Sequence, residues 1–322
     1  MKSLETPDNA LNYLSQSEAV FTGCGLAAVR GMLNSSAGLK SRARSVKDTL
    51  FPEPLDIEKA VPSIDELYRR LGVVTAISSN HYEEALPWIA SLQKFMPDKK
   101  IIVYDLGLNT TVRPKVKLLC NVELRKFPFH RYPDHVRHLL TYAWKPIIID
   151  MALKEFGVIF WGDSSIRLKA SLRKILPVAL NHHGYLTHFH GFDPKVKEEI
   201  RHQYFYTHPA LYGNLGVNRT QYYLSQDMAP HAAANRQLYI NSSIIQRSIV
   251  QPMLKCALEK RCIRPEGART PKHRFDASIL AILIYKNLPG EWTRQTNDNL
   301  AFDKVVFLRK NTKGRENVQF CP

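Results

Sequence analysis

Asp163 follows a run of apolar residues in the segment VIFWGDSSIR (158–167), and two serines and Arg167 come after it. A carboxylate at the end of a buried strand can hold a divalent metal ion, which can neutralise a departing phosphate group. The second acid of an Asp-x-Asp metal motif is absent, because Ser165 stands at that position. The pattern is also typical of a turn in which an aspartate accepts hydrogen bonds from nearby amides. We expect Asp163 to help hold Mn²⁺ or Mg²⁺ on a diphosphate, with Lys145 or Arg167 adding charge.

Lys145 stands in the segment YAWKPIII (142–149), which places a cation between aromatic and apolar residues. The lysine could meet a diphosphate, while Tyr142 and Trp144 could stack on a base or a sugar. The alternative is an amphipathic helix whose lysine extends to solvent past buried aromatic rings. We predict that Trp144 and Lys145 contribute to the binding of a donor molecule that carries a diphosphate.

Asp276 precedes an apolar helical segment in HRFDASIL (273–280). A carboxylate in the first turn of a helix is stabilised by the positive end of the helix dipole, so a capping role would explain it. It could also act as an acid near the acceptor of a reaction. We predict this catalytic role for Asp276, together with Asp163.

Four histidines lie in the segment HHGYLTHFH (182–190). On a strand, the H-x-H pair His188 and His190 would project from one face, as a transition-metal site requires. No carboxylate at a suitable spacing completes such a site, and a role for one histidine in substrate binding is the better interpretation.

The elements that position these residues alternate in a way that is typical of a mostly parallel sheet sandwiched by helices. Apolar and β-branched runs predict strands at 72–78, 99–108, 121–127 and 158–164, with helices at 80–95 and 133–157 and a kink at Pro146. Ligands of such sheets bind outside the carboxyl ends of the strands. Ser78, Asp105 and Asp163 lie at those ends, so we expect them along one ligand-binding edge.

The remaining segments predict three regions. Residues 1–70 read as an irregular, partly helical extension with one short helix capped by Ser63, 71–290 as the α/β domain, and 291–322 as a last strand and a tail. Within the second region, 168–184 and 273–287 predict helices, and 185–192 predicts a strand.

The composition favours a globular protein with anionic partners. The chain has 322 residues, 44% of them hydrophobic, and a net charge of +16, which attracts phosphates, acidic membranes or nucleic acid. The basic residues are scattered, so a dedicated nucleic-acid tail is not indicated. The motifs of kinases, Rossmann dehydrogenases, serine hydrolases and zinc fingers are absent.

The compartment remains open between two interpretations. Neither an 18-residue apolar stretch nor a secretory signal is visible, which favours the cytoplasm. Four sequons, at Asn34, Asn109, Asn218 and Asn241, favour a secreted glycoprotein. Cys256 and Cys262 could form a disulfide if the helix carrying Cys256 ends before Cys262, and reduced thiols are the alternative.

The order of the motifs WKP, WGDSS, CALEKRC and HRFD resembles that of an uncharacterised, nematode-rich animal domain family. That family in turn looks like nucleotide-diphospho-sugar transferases of the GT-A fold, and the match covers roughly residues 70–290. The resemblance places Asp163 in a W-x-D-S-S motif, Trp144 and Lys145 in W-K-P, and Arg274 and Asp276 in H-R-x-D. Ala277 departs from the glutamine that the family has there.

The resemblance implies a Golgi-lumenal, membrane-associated glycosyltransferase-like protein. It would transfer a sugar from a nucleotide-diphosphate donor to a hydroxyl of a glycan or protein acceptor. Ser78, Asp105, Trp144, Lys145 and Arg167 would bind the donor, and Asp163 its metal ion. The alternative is a catalytically inactive GT-A-fold module that binds a glycan or nucleotide, which the missing second acid and Ala277 favour.

Overall fold

The computed structural model describes residues 55, 57, 59–190, 202–224, 231–308 and 317–321. They belong to one compact unit, Pro52–Pro322. Most of the predicted N-terminal extension lies outside the described residues, and so do Cys24 and Asn34. Helix α1 (Ile64–Arg70) is capped as predicted, because the Ser63 hydroxyl accepts a hydrogen bond of 3.1 Å from the Glu66 amide.

A six-stranded sheet forms the centre of the unit. Its strands are β1 (Leu71–Ile77), β2 (Ile101–Asp105), β3 (Val122–Lys126), β4 (Val158–Gly162), β6 (Tyr185–His190) and β7 (His231–Ile240). The spatial order is β3-β2-β1-β4-β7-β6. Neighbours from β3 to β4 are parallel, and β7 is antiparallel to both β4 and β6. This mixed α/β fold with a mostly parallel sheet between helices confirms the predicted fold class.

Helices pack on both faces of the sheet. They are α2 (Tyr82–Phe95), α3 (Val112–Lys117), α4 (Trp144–Phe156), α5 (Leu176–Leu180), α6 (Pro209–Asn214), α7 (Arg219–Leu224), α8 (Gln251–Leu258), α9 (Lys260–Ile263), α10 (Asp276–Asn287) and α11 (Glu291–Asp303). Successive strand residues point to opposite faces. Val74 and Trp161 therefore join the core with α4, α8 and α10, whereas Val73 and Phe160 join the core with α1 and α2.

Three predicted elements differ from the observed ones. The long helix predicted at 133–157 begins only at Trp144, after two 3₁₀ turns and a left-handed Tyr142 (φ 56°). Pro146 lies in the first turn of α4 and causes no kink, because the amides there need no intrahelical partner. The helix predicted at 168–184 was wrong for most of its length. The strand predicted within 291–308 is mainly helix α11, followed by the short strand β8 (Val306–Leu308).

Local capping and pairing explain the difference at 168–184. Strand β5 (Ile166–Leu168) pairs antiparallel with β8, which no local pattern reveals. The Ser171 side chain then accepts a hydrogen bond from the Arg173 amide and starts a 3₁₀ turn at Leu172–Ile175. Only α5 remains of the predicted helix.

Two disulfides close the unit. Helix α8 ends at Leu258, and Glu259 is extended, which brings the Cα atoms of Cys256 and Cys262 to 5.1 Å and allows the bridge. The second bridge joins Cys120 to Cys321 across 201 residues of sequence and was not anticipated. No helix in the described part of the chain has the length and apolar character needed to cross a membrane.

Candidate functional site

Lys145, Asp163 and Asp276 form one ion cluster at the carboxyl end of β4. The Lys145 Nζ atom lies 3.0 Å from Asp163 Oδ1 and 2.9 Å from Asp276 Oδ2. It also donates a hydrogen bond of 3.2 Å to the Ala234 carbonyl on the neighbouring strand β7. Three segments that are far apart in sequence, WKP, WGD and HRFD, thus contribute one charged residue each.

Helix α4 positions Lys145 from its first turn. The left-handed Tyr142 begins the turn, and its carbonyl accepts a hydrogen bond of 3.0 Å from the Lys145 amide. The ammonium lies within 6 Å of the ring centres of Tyr142, Trp144 and Trp161, at 5.2, 5.9 and 5.5 Å. Burial lowers the pKa of Lys145, but Asp163 and Asp276 raise it by more, so its pKa is raised overall and the side chain is charged.

Asp163 is the most exposed member of the cluster, with 29% of its side chain exposed against 2% for Lys145. Its backbone amide donates to the Asn235 carbonyl at 2.9 Å, which fixes the turn after β4. The Trp161 indole Nε1 donates a hydrogen bond of 2.7 Å to Asp163 Oδ1. Gly162, between them, allows α2 to pack closely on β4, since a Cβ atom there would lie 2.5 Å from Trp88. The carboxylate is therefore held by two donors and faces partly outward.

Trp161 is a site residue that the sequence analysis missed. It was treated as part of an apolar strand, but its indole N–H serves the carboxylate two residues later. The W-x-D spacing carried the signal, because residues i and i+2 of an extended chain lie on the same side.

Asp276 lies at the start of α10 and is almost fully buried. Burial raises its pKa, Lys145 opposes this, and the nearby Asp163 raises it again. The contact with Lys145 is an ion pair outside hydrogen-bond geometry, and Asp276 Oδ2 has no directed donor in the described part of the chain. With only 6% of its side chain exposed, Asp276 lies behind Lys145 rather than at the surface.

Ser78 and Asp105 lie on the same sheet edge as Asp163, because β1, β2 and β4 are parallel and Ile77 pairs with Asp105. Their contacts are local. Asp105 Oδ1 accepts hydrogen bonds from the amides two and three residues later, at 2.8 and 2.7 Å, and Oδ2 pairs with Arg113 at 2.8 Å. The Ser78 hydroxyl donates to Asn80 at 2.6 Å. Both carboxylate oxygens of Asp105 thus serve its own turn.

Arg167 and Trp144 are buried and hold backbone rather than face solvent. Arg167 donates to the Ser164 carbonyl at 2.6 Å and to the Glu84 carbonyl at 3.0 Å, which ties the turn after Asp163 to α2. The Trp144 indole donates to the Leu139 carbonyl at 3.0 Å. Their observed contacts stabilise the walls of the cluster.

The described side chains of the histidine segment pair with acidic residues of α11 instead of gathering around a metal site. His188 pairs with Asp303 at 3.2 Å, and His182 lies between Glu291 and Asp298. The side chain of His190 is outside what the structure describes. In the described ranges, no three histidine, cysteine or acidic side chains gather as metal ligands.

The ion cluster itself does not fit a divalent cation. Asp163 is its one well-exposed carboxylate, and the Lys145 ammonium already lies against it at 3.0 Å. The second carboxylate is reached only across that ammonium. A divalent ion takes several oxygen ligands and would be repelled by the fixed positive charge. Lys145 therefore lies between the two acids and itself neutralises their charge.

Comparison with known proteins gives one family and several solved structures. A family described as a protein of unknown function (DUF1647) matches residues 56–150, less than a third of the chain. This confirms the predicted resemblance to an uncharacterised family over a region that includes Lys145 and ends before Asp163. No curated protein matches the chain.

The similar solved structures are glycosyltransferases. The bifunctional glycosyltransferase WbbM is 14% identical over 67% of this chain, with a TM-score of 0.43, and the chain spans only 38% of its length. The galactosyltransferase LgtC, solved with donor and acceptor sugar analogs, is 13% identical over 76% of this chain and 90% of its own, with a TM-score of 0.45. Mouse xyloside xylosyltransferase 1 is 9% identical over 76% and 99%, with a TM-score of 0.45.

Proposed function

We propose that the chain is a glycosyltransferase-like protein that binds a nucleotide-sugar donor at the carboxyl edge of β1, β2 and β4. The observation that carries the proposal is the convergence of Lys145, Asp163 and Asp276 at this edge. Open parallel sheets bind ligands at the carboxyl ends of their strands. The three motifs that suggested a sugar transferase in the sequence supply the three residues of the cluster.

Asp163 would meet the ligand, since it is the exposed member. Its carboxylate would accept a hydrogen bond from a sugar or ribose hydroxyl, while Trp161 and Lys145 hold its orientation. In a transfer reaction the acceptor oxygen bonds to the anomeric carbon, the bond from that carbon to the diphosphate breaks, and Asp163 takes the acceptor proton. Asp276 would act as a positioning residue that keeps Lys145 in place.

The proposal includes no resident metal ion. GT-A enzymes commonly use a divalent cation, and Mn²⁺ or Mg²⁺ at Asp163 is the expectation from sequence. The fixed ammonium of Lys145 supports the opposite, namely donor binding that persists in a chelator.

A binding module without catalysis is the second candidate. The observation that favours it is that Asp163 is already paired with the Lys145 ammonium at 3.0 Å and accepts a hydrogen bond from Trp161. A carboxylate held in this way can bind hydroxyl groups without taking part in a proton transfer.

A secretory location fits this function. Disulfides persist in oxidising compartments, and the described part of the chain contains two. We propose a lumenal protein that acts on a glycan or protein acceptor, with any membrane association supplied by chain outside the described residues.

A panel of nucleotide sugars, each added with Mn²⁺ and with EDTA, tests the proposal by thermal unfolding. A ligand that binds only the folded state raises the midpoint. We expect at least one nucleotide sugar to raise it equally in both conditions, and Asp163→Asn to abolish the rise. Asp134→Asn is the control, because Asp134 is fully exposed and pairs only loosely with Arg137, at 3.9 Å.

The outcomes separate the alternatives. Release of nucleoside diphosphate on addition of acceptors supports the enzyme, and a midpoint shift without release supports the binding module. A rise that requires Mn²⁺ contradicts the metal-free site. If no nucleotide sugar changes the midpoint, the proposed function is wrong.

A further inference from the structure

Arg274 lies two residues before Asp276 and has a rigid backbone. Its amide donates to the Tyr206 carbonyl at 3.1 Å and to the Ser278 hydroxyl at 3.0 Å. The following residue, Phe275, has a φ of 47°, a conformation that bulky side chains adopt only when their surroundings hold them. The guanidinium therefore starts from a fixed point beside the ion cluster.

The guanidinium of Arg274 has no ionic partner in the described part of the chain. It packs over the Tyr206 ring at 5.5 Å, and its Nε atom is buried without an acceptor. Arg125, which is also partly buried, is paired with Glu155 at 2.6 Å, whereas Arg219 packs over Tyr204 at 4.2 Å with its Nε atom likewise lacking an acceptor. A buried donor without a partner is costly and usually indicates a missing ligand or water.

Two further buried polar atoms, in residues that belong to the cluster or contact it, lack a hydrogen-bond partner among the described residues. They are Asp276 Oδ2 and Asn235 Oδ1, and the Asn235 carbonyl is the group that holds the Asp163 amide. The ring of Phe275, the residue after Arg274, lies 6.3 Å from the Tyr142 ring, whose centre is 5.2 Å from the Lys145 ammonium, so the backbone of Arg274 lies beside the cluster.

The charge of Lys145 is already used. Its ammonium lies against both Asp163 and Asp276 and donates a hydrogen bond to the Ala234 carbonyl. An anion that arrives at this edge therefore finds Arg274 as the available cation. Guanidinium groups bind phosphate oxygens in a bidentate manner and carry their charge at any ordinary pH.

We propose that Arg274 binds a phosphate group of the donor. The inference rests on the proposed function for the identity of the donor, but phosphate binding by Arg274 is measurable without it. In this arrangement Asp163 binds hydroxyl groups of the donor, Arg274 binds its diphosphate, and Lys145 holds the two carboxylates in position.

The experiment compares UDP, GDP, uridine and inorganic pyrophosphate by calorimetric titration in EDTA. We expect Arg274→Gln to weaken UDP or GDP and pyrophosphate at least tenfold, and to leave any uridine binding unchanged. Arg274→Lys should retain part of the affinity, because an ammonium keeps the charge but not the bidentate geometry. Arg137→Gln is the control, since Arg137 is exposed and pairs only loosely with Asp134, at 3.9 Å.

A merely structural role for Arg274 predicts something else. Removal of an unpaired guanidinium should leave the thermal midpoint of the ligand-free protein unchanged or higher, whereas loss of a structural contact would lower it. If Arg274→Gln does not fold, Arg274→Lys provides the comparison on its own.

The result distinguishes this inference from the proposed function. Nucleotide binding that is equal in wild type and Arg274→Gln overturns the inference and leaves the function. Pyrophosphate binding that depends on Arg274, without binding of any nucleotide, supports the inference and overturns the function. If wild type binds none of the four compounds, both are wrong.

Discussion

The indole of Trp161 and the carboxylate of Asp163 are joined by a hydrogen bond of 2.7 Å at the end of β4. Trp161 is fully buried and Asp163 is partly exposed, so the bond connects the core of the protein to the surface that a ligand would contact. The orientation of the carboxylate is thus set from within the sheet.

Trp161→Phe tests this connection, because phenylalanine keeps an aromatic ring and removes the N–H group. We expect a loss of about 1–3 kcal/mol in the free energy of unfolding, since a hydrogen bond to a charged group is lost and the cavity is partly unfilled. Nucleotide-sugar affinity should also fall. Urea unfolding and calorimetric titration measure the two effects. A variant with unchanged affinity would show that Asp163 needs no support from the indole.

Lys145→Met leaves two carboxylates without their counter-charge. Loss of one partner from a buried ion pair costs about 3–5 kcal/mol, and we expect a decrease of that size in the free energy of unfolding. Lys117→Met is the control, because Lys117 is exposed at the end of α3 and should change stability by less than about 0.5 kcal/mol.

The double variant Lys145→Met/Asp276→Asn separates charge from packing. Replacement of the buried carboxylate by an amide removes part of the uncompensated charge, so the double variant should be more stable than Lys145→Met alone. Urea unfolding of wild type, Lys145→Met, Asp276→Asn and the double variant completes the double-mutant cycle. Equal losses in the single and double variants would mean that the lysine acts through packing.

His182 gives the unfolding free energy a pH dependence of known sign. Burial lowers its pKa, but Glu291 and Asp298 raise it by more, so its pKa in the folded protein is raised. The unfolded value is about 6.5. The stabilising contribution of His182 is therefore complete below about pH 6.5 and is lost as the pH rises through the pKa that the histidine has in the folded protein.

His182→Gln should flatten this decrease. We expect wild type to lose stability between neutral and mildly alkaline pH, and the variant to lose less, in urea titrations across that range. His138→Gln is the control, because His138 is exposed. If wild type and His182→Gln show the same slope, the histidine does not hold α11.

Gly162→Ala tests the close contact between β4 and α2. A Cβ atom would lie 2.5 Å from Trp88 Cζ2, and Trp88 is fully buried and cannot move freely. Overpacking of this kind costs about 1–3 kcal/mol. Gly213→Ala is the control, since a Cβ atom there meets nothing within 4 Å. Equal unfolding midpoints for the two variants would contradict the contact.

Local patterns predicted the parallel half of the fold well. Apolar runs with period two and helices of amphipathic spacing identified β1 to β4 and α2 within a few residues. The position of the antiparallel strand β7 beside β4 was not predicted, because side-chain patterns do not encode which strands become neighbours. Strands β5 and β8 are three residues long and stabilise each other, so neither is visible alone.

The site was predicted residue by residue rather than as an arrangement. Lys145, Asp163 and Asp276 were selected from separate motifs, and their contact depends on the packing of α4 and α10 against the sheet. The stacking role of Trp144 stays a prediction from sequence, whereas the ion cluster does not fit the metal ion predicted at Asp163. Periodicity could not show that a lysine would lie between the two acids. Nor could it show that Arg274 would have no acidic partner among the described residues.

The Cys120–Cys321 bridge turns most of the unit into a covalent ring. Lys145, Asp163, Arg274 and Asp276 all lie within it. One proteolytic cut at any point between the two half-cystines would open the ring without releasing a fragment, so a nicked molecule keeps its full mass until a reductant is added. A cut in a surface loop would therefore not by itself separate these four residues from one another.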